Sequence, residues 1–437
     1  MTAPVLSWGL YPQYPQQVHS VVWRDQLLSS MTSLQNKHQT FLPFGLGRSY
    51  GDSCLAQSGQ VMQLSNMDRF ISADWSQGIL RAEAGVTLAQ ILSVAIPNGW
   101  FLPVTPGTRF VTLAGAIAND VHGKNHHRAG TFGRFIRSLE LWRSDGSVSQ
   151  LSATQQPELF SATIGGLGLT GIISRAEIQL QRITGADLQV RTERFMHLHD
   201  FFTLSAIAER EHEFCVAWID CTAKDNELGR GVMYSADFLP QSSLKMAPAG
   251  QKQLPFTPPV SLVNSLSLKI FNELYWRKTP AIPHSAVQSY QQFFYPLDGI
   301  LHWNRLYGRK GFQQYQAVIP QHCAAAAIRD MLVLIAGSGA GSALAVLKRC
   351  GDIVSPGVLS FPMAGTTLAL DFPQQDATDI LFHQLDAVVR AAGGRLYPAK
   401  DAHMSAADFQ QGYPHWHIVE KWRDPALMSR FWQRVTQ

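Results

Sequence analysis

The clearest helical pattern in the first part of the chain lies at 87–95, TLAQILSVA. Its apolar residues recur at i, i+3, i+4 and i+7, namely Leu88, Ile91, Leu92 and Ala95. This spacing places them on one face of a helix. Thr87 stands where an N-cap is expected. The pattern therefore predicts an amphipathic helix that begins after Thr87 and ends before Pro97.

Two further helices are predicted near the end of the chain, at about 321–336 and about 376–392, which stop at Gly337 and Gly393. Between them, 366–372 has the alternating pattern of a strand. Its apolar positions are Leu368, Leu370 and Phe372, and its other positions are Thr367, Ala369 and Asp371. A period of two predicts a strand that is half buried. Helices flanking such a strand favour an antiparallel sheet with helices on one face.

The rest of the chain falls into two patterns. Roughly the first 185 residues alternate short strand-like runs, such as Ile172–Leu180, with short helices. Residues 239–268 are rich in proline, serine and lysine, which predicts a long mobile loop. That loop is either a disordered surface segment or a flap that covers a lipid-like substrate or touches a membrane. These patterns predict an α+β protein of two domains, the second inserted before a C-terminal return to the first.

Composition narrows the function classes only slightly. The 437 residues suffice for two or three domains, and 46% hydrophobic with 16% charged residues is typical of a globular protein. The formal net charge of +4 is too small to indicate nucleic-acid binding. It suits an anionic ligand or an anionic membrane face.

Cysteine usage and the N-terminal residues predict the compartment. Five cysteines lie scattered without CxxC spacing, which favours a reducing environment over a disulfide framework. No basic residue precedes Arg24, and no apolar run approaches the roughly 18 residues of a membrane span. We expect a cytoplasmic protein that is soluble or peripheral at the inner membrane, with the periplasm as the alternative.

Two glycine-rich segments are the candidates for cofactor binding: GLGRSYGD at 45–52 and PGTRFVTLAGAIANDVHGKNHH at 106–127. Glycines allow backbone N–H groups to point at an anion, and Arg48 and Arg109 add positive charge. If the two loops converge, they can hold a diphosphate, as in a dinucleotide or a nucleotide-sugar. The alternative is a pair of glycine turns that hold no ligand.

Other motifs are excluded by their context. GGLGLTG at 165–171 contains a formal GxGxxG, but a helical pattern precedes it and a strand pattern follows, the reverse of a nicotinamide-binding unit. His122, His126 and His127 lack an HExxH spacing and a cysteine partner, so no metal site is predicted. The sequence holds neither a GxSxG elbow nor a P-loop.

Taken together, several segments carry a resemblance to a known family. They are the two glycine-rich segments, GGLGLTGII, WNRLYG at 303–308, GFQQYQAVIP at 311–320, LSFPMAG at 359–365 and GGRLYPAKD at 393–401. With these motifs the chain resembles the FAD-dependent oxidases of the vanillyl-alcohol-oxidase type. The resemblance covers nearly the whole chain, with the segments in order.

The resemblance implies the domain organisation and the cofactor. It implies an FAD-binding domain of the PCMH type at 1–182, a substrate domain of antiparallel sheet backed by helices at 183–394, and a C-terminal return to the FAD domain at 395–437. Members that share HGKN hold the flavin without a covalent bond, so non-covalent FAD is expected.

The resemblance also implies the site residues. The expected FAD-binding residues are Gly45, Leu46, Gly47, Arg48, Ser49, Tyr50, Gly51, Asp52, Gly107, Thr112, Leu113, Ala114, Gly115, Asn119, His122, Ile173 and Tyr397. Catalytic roles are expected for Lys400, Tyr50 and His122, with Lys400 as the group that orients the hydroxyl or accepts its proton. Substrate contacts are expected from Lys124, Trp218, Gln314, Gln316 and Lys400. Gln314 and Gln316 lie two apart, so on a strand they face the same side.

The implied activity is oxidation of the 2'-hydroxyl of a polyprenylphosphoryl-β-D-ribose to a keto sugar, with hydride passing to flavin N5. A separate NAD(P)H-dependent keto-sugar reductase would complete epimerisation to an arabinose donor for cell-wall arabinan. Four positions depart from the family pattern: Ala369, Thr367, Val216 and Phe294. Because these departures put the sugar and lipid in doubt, a soluble alditol or sugar oxidase that passes electrons to oxygen is the alternative. A third hypothesis is a carbohydrate- or lipid-binding protein without a flavin.

Overall fold

The computed structural model describes residues 5–245 and 252–437. The N-terminal part carries ten strands and five α-helices, in chain order β1 Gln17–Ser20, α1 Leu27–His38, β2 Leu42–Phe44, β3 Gln60–Gln63, β4 Phe70–Asp74, β5 Ile79–Glu83, α2 Leu88–Ala95, β6 Trp100–Phe101, α3 Leu113–Ala118, α4 His126–Ala129, β7 Ile136–Trp142, β8 Val148–Leu151, α5 Pro157–Thr163, β9 Ile172–Gln179 and β10 Gln181–Arg182. They form a parallel sheet in the order β1-β3-β2, an antiparallel sheet in the order β4-β5-β9-β7-β8, and a β6-β10 pair.

The middle part is dominated by a second, larger sheet. Its elements are β11 Leu188–Phe195, α6 Leu198–Glu211, β12 Phe214–Ile219, β13 Gly231–Phe238, β14 Lys252–Gln253, α7 Ser265–Lys278, β15 His284–Gln288, α8 Tyr290–Phe294, β16 Ile300–Leu301, β17 Phe312–Pro320, α9 Ala324–Ser338, β18 Val346–Cys350, β19 Gly365–Pro373 and α10 Asp376–Ala391. The C-terminal elements are β20 Arg395–Leu396, α11 Ala406–Gly412, α12 Trp416–Trp422 and α13 Arg430–Thr436. Eight antiparallel strands run in the order β15-β11-β13-β12-β18-β19-β17-β20. The α+β prediction is confirmed, while the predicted domain boundaries stay a prediction.

Local sequence signals account for the helices. The predicted helix at 87–95 is confirmed as α2, because the Thr87 hydroxyl accepts a hydrogen bond from the Gln90 backbone N–H at 3.1 Å and the Gln90 side chain accepts one from the Thr87 N–H at 2.8 Å. The helix predicted at 321–336 instead spans Ala324–Ser338. It passes Gly337 and ends at Gly339, whose φ of +72° breaks the helix.

The strand predicted at 366–372 is confirmed as β19, but the expectation that it is half buried is wrong. Both faces are covered. One face packs Leu368, Leu370 and Phe372 into the core that also holds the inner sides of α9 and α10. The other face, with Thr367 and Asp371, is equally buried because it lies against an internal cavity rather than against water.

The segment 239–268, predicted as a long mobile loop, contains parts of two regular elements, and its mobility stays a prediction. Within it, β14 pairs in parallel with β16, and α7 begins at Ser265, where the Asn264 side chain accepts hydrogen bonds from two backbone N–H groups. Asn264 is a strong N-cap residue, a signal that the proline- and serine-rich composition obscured. Residues 246–251 lie outside the described residues.

A buried ion network joins the two ends of the chain. Arg434 of α13 binds Asp52 through Nη2 at 2.8 Å and through Nε at 3.1 Å, and Nη2 also lies 2.8 Å from Asp401. Both carboxylates are almost fully buried. Burial alone would raise the pKa of Asp401, but the Arg434 guanidinium brings it below its ordinary value. The network holds the first glycine loop against the segment that carries Lys400.

Replacing Arg434 by methionine should lower the free energy of unfolding by about 3–5 kcal/mol, because two buried carboxylates lose their partner. Urea titration followed by tryptophan fluorescence measures this. The matched control is Arg329→Met, whose side chain is 67% exposed and which lies 3.6 Å from Asp330. It should change the stability by less than about 0.5 kcal/mol. Equal effects of the two substitutions would show that Arg434 does not stabilise the contact between the first glycine loop and the segment that carries Lys400.

Candidate active site

A cavity of about 850 Å³ lies between the glycine loops and the inner face of the eight-stranded sheet. Its wall is mostly apolar with a few converging polar and charged groups, as in sites for large organic ligands. Both predicted glycine-rich segments contribute to this wall. The expectation that they converge is therefore confirmed.

The two glycine loops contact each other directly. Arg48 Nε donates to the backbone carbonyl of Phe110 at 3.1 Å, and its guanidinium lies 4.0 Å from the centre of the Trp8 ring. Thr112 caps α3 by accepting a hydrogen bond from the Gly115 N–H at 3.1 Å. A Cβ on Gly45 would come within 2.6 Å of the Thr112 hydroxyl oxygen. Gly45 is therefore required for the loops to meet.

Most of the expected FAD-binding residues line this cavity: Gly45, Leu46, Gly47, Arg48, Ser49, Tyr50, Gly107, Thr112, Ala114, Gly115, Asn119, His122, Ile173 and Tyr397. Three others lie behind the wall. Gly51 packs against the Asp401 carbonyl, where a Cβ would approach to 1.7 Å, Asp52 binds Arg434, and Leu113 is a fully buried core residue. Their place in the structure is to support the loops, and a direct contact with the cofactor stays a prediction.

All of the expected substrate and catalytic residues reach the same cavity: Tyr50, His122, Lys124, Trp218, Gln314, Gln316 and Lys400. The antiparallel register of β17 and β19 sets Gln314 opposite Asp371 and Gln316 opposite Ala369. Gln314 Nε2 donates to Asp371 Oδ1 at 2.6 Å, and Gln316 Nε2 donates to the Thr367 hydroxyl at 3.3 Å. Two adjacent strands thus present a row of polar groups to the same cavity that the glycine loops line.

Lys400 lies at the centre of this arrangement. Its Nζ sits 3.6 Å from the centre of the Tyr50 ring, a cation–π distance. Burial lowers the pKa of Lys400, and the charge of Asp371 opposes that shift. Burial also raises the pKa of the Tyr50 phenol, so Tyr50 stays protonated at neutral pH. Between these two groups, Lys400 is the one suited to accept a proton.

His122 is held by a buried lysine from the sheet. Lys348 Nζ lies 2.7 Å from His122 Nδ1 and donates to the Gly123 carbonyl at 2.6 Å. Burial and the Lys348 charge lower the pKa of His122 well below its ordinary value, so the imidazole is neutral. Its ring packs 5.6 Å from Tyr397, whose hydroxyl donates to the Asn119 carbonyl at 3.1 Å. His122 is therefore a fixed, uncharged group in the cavity wall.

Lys124 is a further lysine in the cavity wall. Its Nζ lies 4.2 Å from the Phe293 ring centre and donates to the Phe293 carbonyl. Burial, together with the charge of Lys348, lowers the pKa of Lys124 to about 7. Trp218 donates from Nε1 to the Ala343 carbonyl at 2.9 Å, and its ring packs at a tilt against Tyr275 with ring centres 4.7 Å apart.

Three functional candidates escaped the sequence analysis. Lys348 and Asp371 are buried, line the cavity and contact predicted site residues, and Ser53 has a buried hydroxyl in the cavity wall without a hydrogen-bond partner. A charged residue at an inward position of a strand, as at Lys348 in VLKRC, was the available signal. This signal does not identify a site residue until it is known which face of the sheet lines the cavity.

The cavity fits FAD. Gly107 lines it with nothing within 4 Å of the place where a Cβ would be, so backbone lies open to a ligand. The Ser53 hydroxyl and Asp371 Oδ2 are buried without a hydrogen-bond partner, although buried polar atoms normally have one. The Ser53 hydroxyl lies directly after the first glycine loop, where a bound dinucleotide can supply the missing partner, while Asp371 lies on the sheet side of the cavity.

The four departures from the family pattern all lie in the cavity wall: Val216, Phe294, Thr367 and Ala369. Phe294 is directly followed by Tyr295, whose hydroxyl lies 2.6 Å from the Thr105 hydroxyl. A tyrosine is therefore present next to this position, but its hydroxyl bonds to Thr105, the residue directly before the second glycine-rich segment.

The GxGxxG segment at 165–171 has the neighbouring elements that the sequence predicts. Helix α5 precedes it and strand β9 follows it. A Cβ on Gly166 would come within 2.1 Å of the Ala162 carbonyl, while Gly168 and Gly171 line the cavity. Its glycines thus allow close approach of neighbouring backbone, which a side chain would block.

Residues 5–245 and 252–437 hold no cluster of three or more His, Cys, Asp or Glu that could bind a metal ion. No helix in the same residues is long and apolar enough to cross a membrane.

Comparisons with known proteins agree with this site. The model of the FAD binding domain family matches residues 15–152. A decaprenylphosphoryl-beta-D-ribose oxidase of Mycolicibacterium smegmatis is 37% identical over 394 residues, 86% of this chain and 83% of that protein. An uncharacterized protein in the mprA 5' region of Streptomyces coelicolor is 33% identical over 348 residues, 75% of this chain and 92% of that protein. The human delta(24)-sterol reductase is 27% identical over 172 residues, 39% of this chain and 31% of that protein.

Fold, cavity and family model together define an FAD-dependent oxidoreductase. More narrowly, the chain belongs to the decaprenylphosphoryl-β-D-ribose oxidase family. The predictions of FAD, of an enzyme and of this kind of oxidase are confirmed, while non-covalent binding of the flavin stays a prediction.

Gly45→Ala should reduce FAD retention, because the added methyl group pushes Thr112 out of its place between the loops. The ratio of absorbance at 450 nm to that at 280 nm after gel filtration should fall several-fold. Gly299→Ala is the matched control, since nothing lies within 4 Å of its Cβ position and it lies outside the cavity wall. Full FAD retention in the Gly45 variant would contradict the assigned cradle.

Proposed function

We propose that this protein oxidises the 2'-hydroxyl of a polyprenylphosphoryl-β-D-ribose to the 2'-keto sugar. The observation that carries the proposal is the row of polar groups on β17 and β19 beside Lys400, in the same cavity as loops that fit FAD. Membership in the decaprenylphosphoryl-β-D-ribose oxidase family supports the substrate class.

Different residues would bind the cofactor and act on the sugar. The glycine loops would hold the FAD diphosphate through backbone N–H groups, and His122, Tyr397 and Asn119 would line the cavity beside the cofactor. When bound, FAD supplies the hydride acceptor at N5. The neutral form of Lys400 takes the hydroxyl proton, and Tyr50 keeps the Lys400 amine above its ring.

The sugar and its phosphate have separate partners. Gln314 and Gln316 offer amide groups to the ribose hydroxyls, and Asp371 Oδ2 has an unused acceptor toward the same space. Lys124 lines the same cavity and would bind the phosphate, since the single negative charge of a phosphodiester would stabilise the charged form of Lys124 and raise its pKa from about 7. Trp218 and Tyr275 supply an aromatic wall toward the lipid.

The position of oxidation is tested by product analysis. The holoenzyme is incubated with a short-chain polyprenylphosphoryl ribose, and the product is reduced with borodeuteride. The proposal expects deuterium at C2' of the sugar. Deuterium at another carbon would overturn the assignment of the 2'-hydroxyl.

A soluble alditol or sugar oxidase that passes electrons to oxygen is the second candidate. The observation in its favour is that all four departures from the family pattern lie in the wall of the substrate cavity. They alter the surface that contacts the substrate while leaving Lys400 and the glycine loops in place.

The proposed setting follows from the proposed substrate. A separate NAD(P)H-dependent reductase would reduce the keto sugar to the arabinose epimer, which serves cell-wall arabinan synthesis. A polyprenyl substrate resides in a membrane, so we propose a cytoplasmic enzyme in peripheral contact with the inner membrane, the periplasm being the alternative.

Lys400→Ala should retain FAD but slow flavin reduction by about 10²–10⁴-fold, the usual contribution of a positioned proton acceptor. Stopped-flow absorbance at 450 nm under anaerobic conditions measures it. Lys421→Ala is the control, because that side chain is 65% exposed and pairs with Glu158. Unchanged reduction in the Lys400 variant would remove Lys400 from the chemistry.

The rate of flavin reduction should rise with pH and level off below 10.5, the ordinary pKa of lysine, because burial lowers the Lys400 pKa and the neutral amine is the reactive form. Asp371 raises the Lys400 pKa, so Asp371→Asn should move the profile to lower pH. Asp330→Asn, at a side chain 58% exposed, should leave it in place. A shift of the Asp371 variant to higher pH would contradict the role given to its charge.

A further inference from the structure

Exposed apolar side chains are concentrated in one part of the chain. Of the 22 large apolar residues exposed among the described residues, ten fall between 256 and 300. Monomeric soluble proteins rarely leave a contiguous apolar patch uncovered unless the patch binds a partner.

Helix α7 carries the core of this surface. Leu266, Ile270 and Leu274 follow at intervals of four, and their exposed fractions are 67%, 53% and 64%. The side facing the protein buries Leu268 and Trp276 instead. A helix that is apolar on both sides needs a second apolar environment for its outer face. We define the α7 outer face as Leu266, Ile270, Phe271 and Leu274.

Charge around the α7 outer face has one predominant sign. Residues 252–310 contain seven Lys and Arg against two acidic residues. Of the acids, Glu273 is paired with Arg230 and Arg277, and Asp298 is buried against Thr108 and Arg109. Positive side chains beside exposed apolar ones match the chemistry of an anionic lipid surface.

The α7 outer face continues into the cavity. Phe271 stacks on Tyr275 with ring centres 5.8 Å apart, and the Tyr275 ring packs at a tilt against Trp218 with ring centres 4.7 Å apart. Tyr275 and Trp218 line the cavity, and Lys278 and Ile300 line it while being exposed. An aromatic path thus connects the α7 outer face to the wall beside the polar row on the sheet.

We propose that the α7 outer face docks on an anionic lipid bilayer and sets the cavity mouth against it, so that the prenyl chain of a lipid-linked sugar enters along Phe271, Tyr275 and Trp218. The occupant is the membrane surface itself. The use of this contact for substrate entry rests on the proposed function, whereas the docking does not.

The test is sedimentation of the holoenzyme with phosphatidylcholine vesicles that contain about a third phosphatidylglycerol. The triple variant Leu266→Gln, Ile270→Gln and Leu274→Gln should bind at least about tenfold more weakly than the parent protein. A matched triple, Ile207→Gln, Val333→Gln and Ile380→Gln, removes three exposed apolar side chains from other helices. It should bind as the parent does. FAD content and near-UV circular dichroism report whether each variant is folded.

A single charge substitution tests the docking proposal independently of the apolar side chains. Lys269→Glu, at an exposed position of α7, should weaken binding to the anionic vesicles by about fivefold or more and leave binding to pure phosphatidylcholine unchanged. The proposal is overturned if the parent does not bind anionic vesicles. It is also overturned if the α7 triple variant binds as the parent does, or if that variant alters only self-association in sedimentation velocity, which would make a second copy the occupant.

Vesicle binding requires no turnover, so the two proposals fail separately. If the lipid sugar reduces the flavin in detergent but the protein does not bind vesicles, only the docking proposal is overturned. If the protein binds vesicles but the lipid sugar does not reduce the flavin, only the proposed substrate is overturned.

Discussion

The pairing of β17 with β19 is the constraint on which the site depends. Its register sets Gln314 opposite Asp371 and Gln316 opposite Ala369, so that one face of two adjacent strands becomes polar. The opposite face of the same strands packs against α9 and α10 in the main core. A shift of one residue would turn the polar side chains into that core and the leucines toward the cofactor loops. Core packing therefore fixes the position of the groups that contact the substrate.

Electrostatics then determines what the cavity accepts. Lys124, Lys348 and Lys400 all reach it, while Asp371 is the one carboxylate placed among them on the sheet. Burial lowers the pKa of each of the three lysines. An anionic ligand stabilises their charged forms, which matches both an FAD diphosphate and a sugar phosphate. The neutral form of Lys400, by contrast, is the form that accepts a proton.

Sequence reasoning succeeded where the determinants are local. The capping of α2 by Thr87, the glycine loops and the paired glutamines of β17 are each contained in a few consecutive residues. It missed Asp371 and Lys348 because their roles arise from strands far apart in the chain. The alternation in β19 was recognised, but a polar face next to a cofactor cavity has the same pattern as a polar face next to water. Likewise, Asp52 and Gly51 belong to a motif whose spacing alone does not separate residues that touch a ligand from residues that support the loop.

The most direct test of the account is to add substrate to the holoenzyme without oxygen and record its visible spectrum. The account predicts that a polyprenylphosphoryl ribose bleaches the flavin band near 450 nm, whereas xylitol and sorbitol at the same concentration leave it oxidised. A flavin that bleaches with the free polyols and stays oxidised with the lipid sugar would contradict the account and establish the alditol oxidase instead.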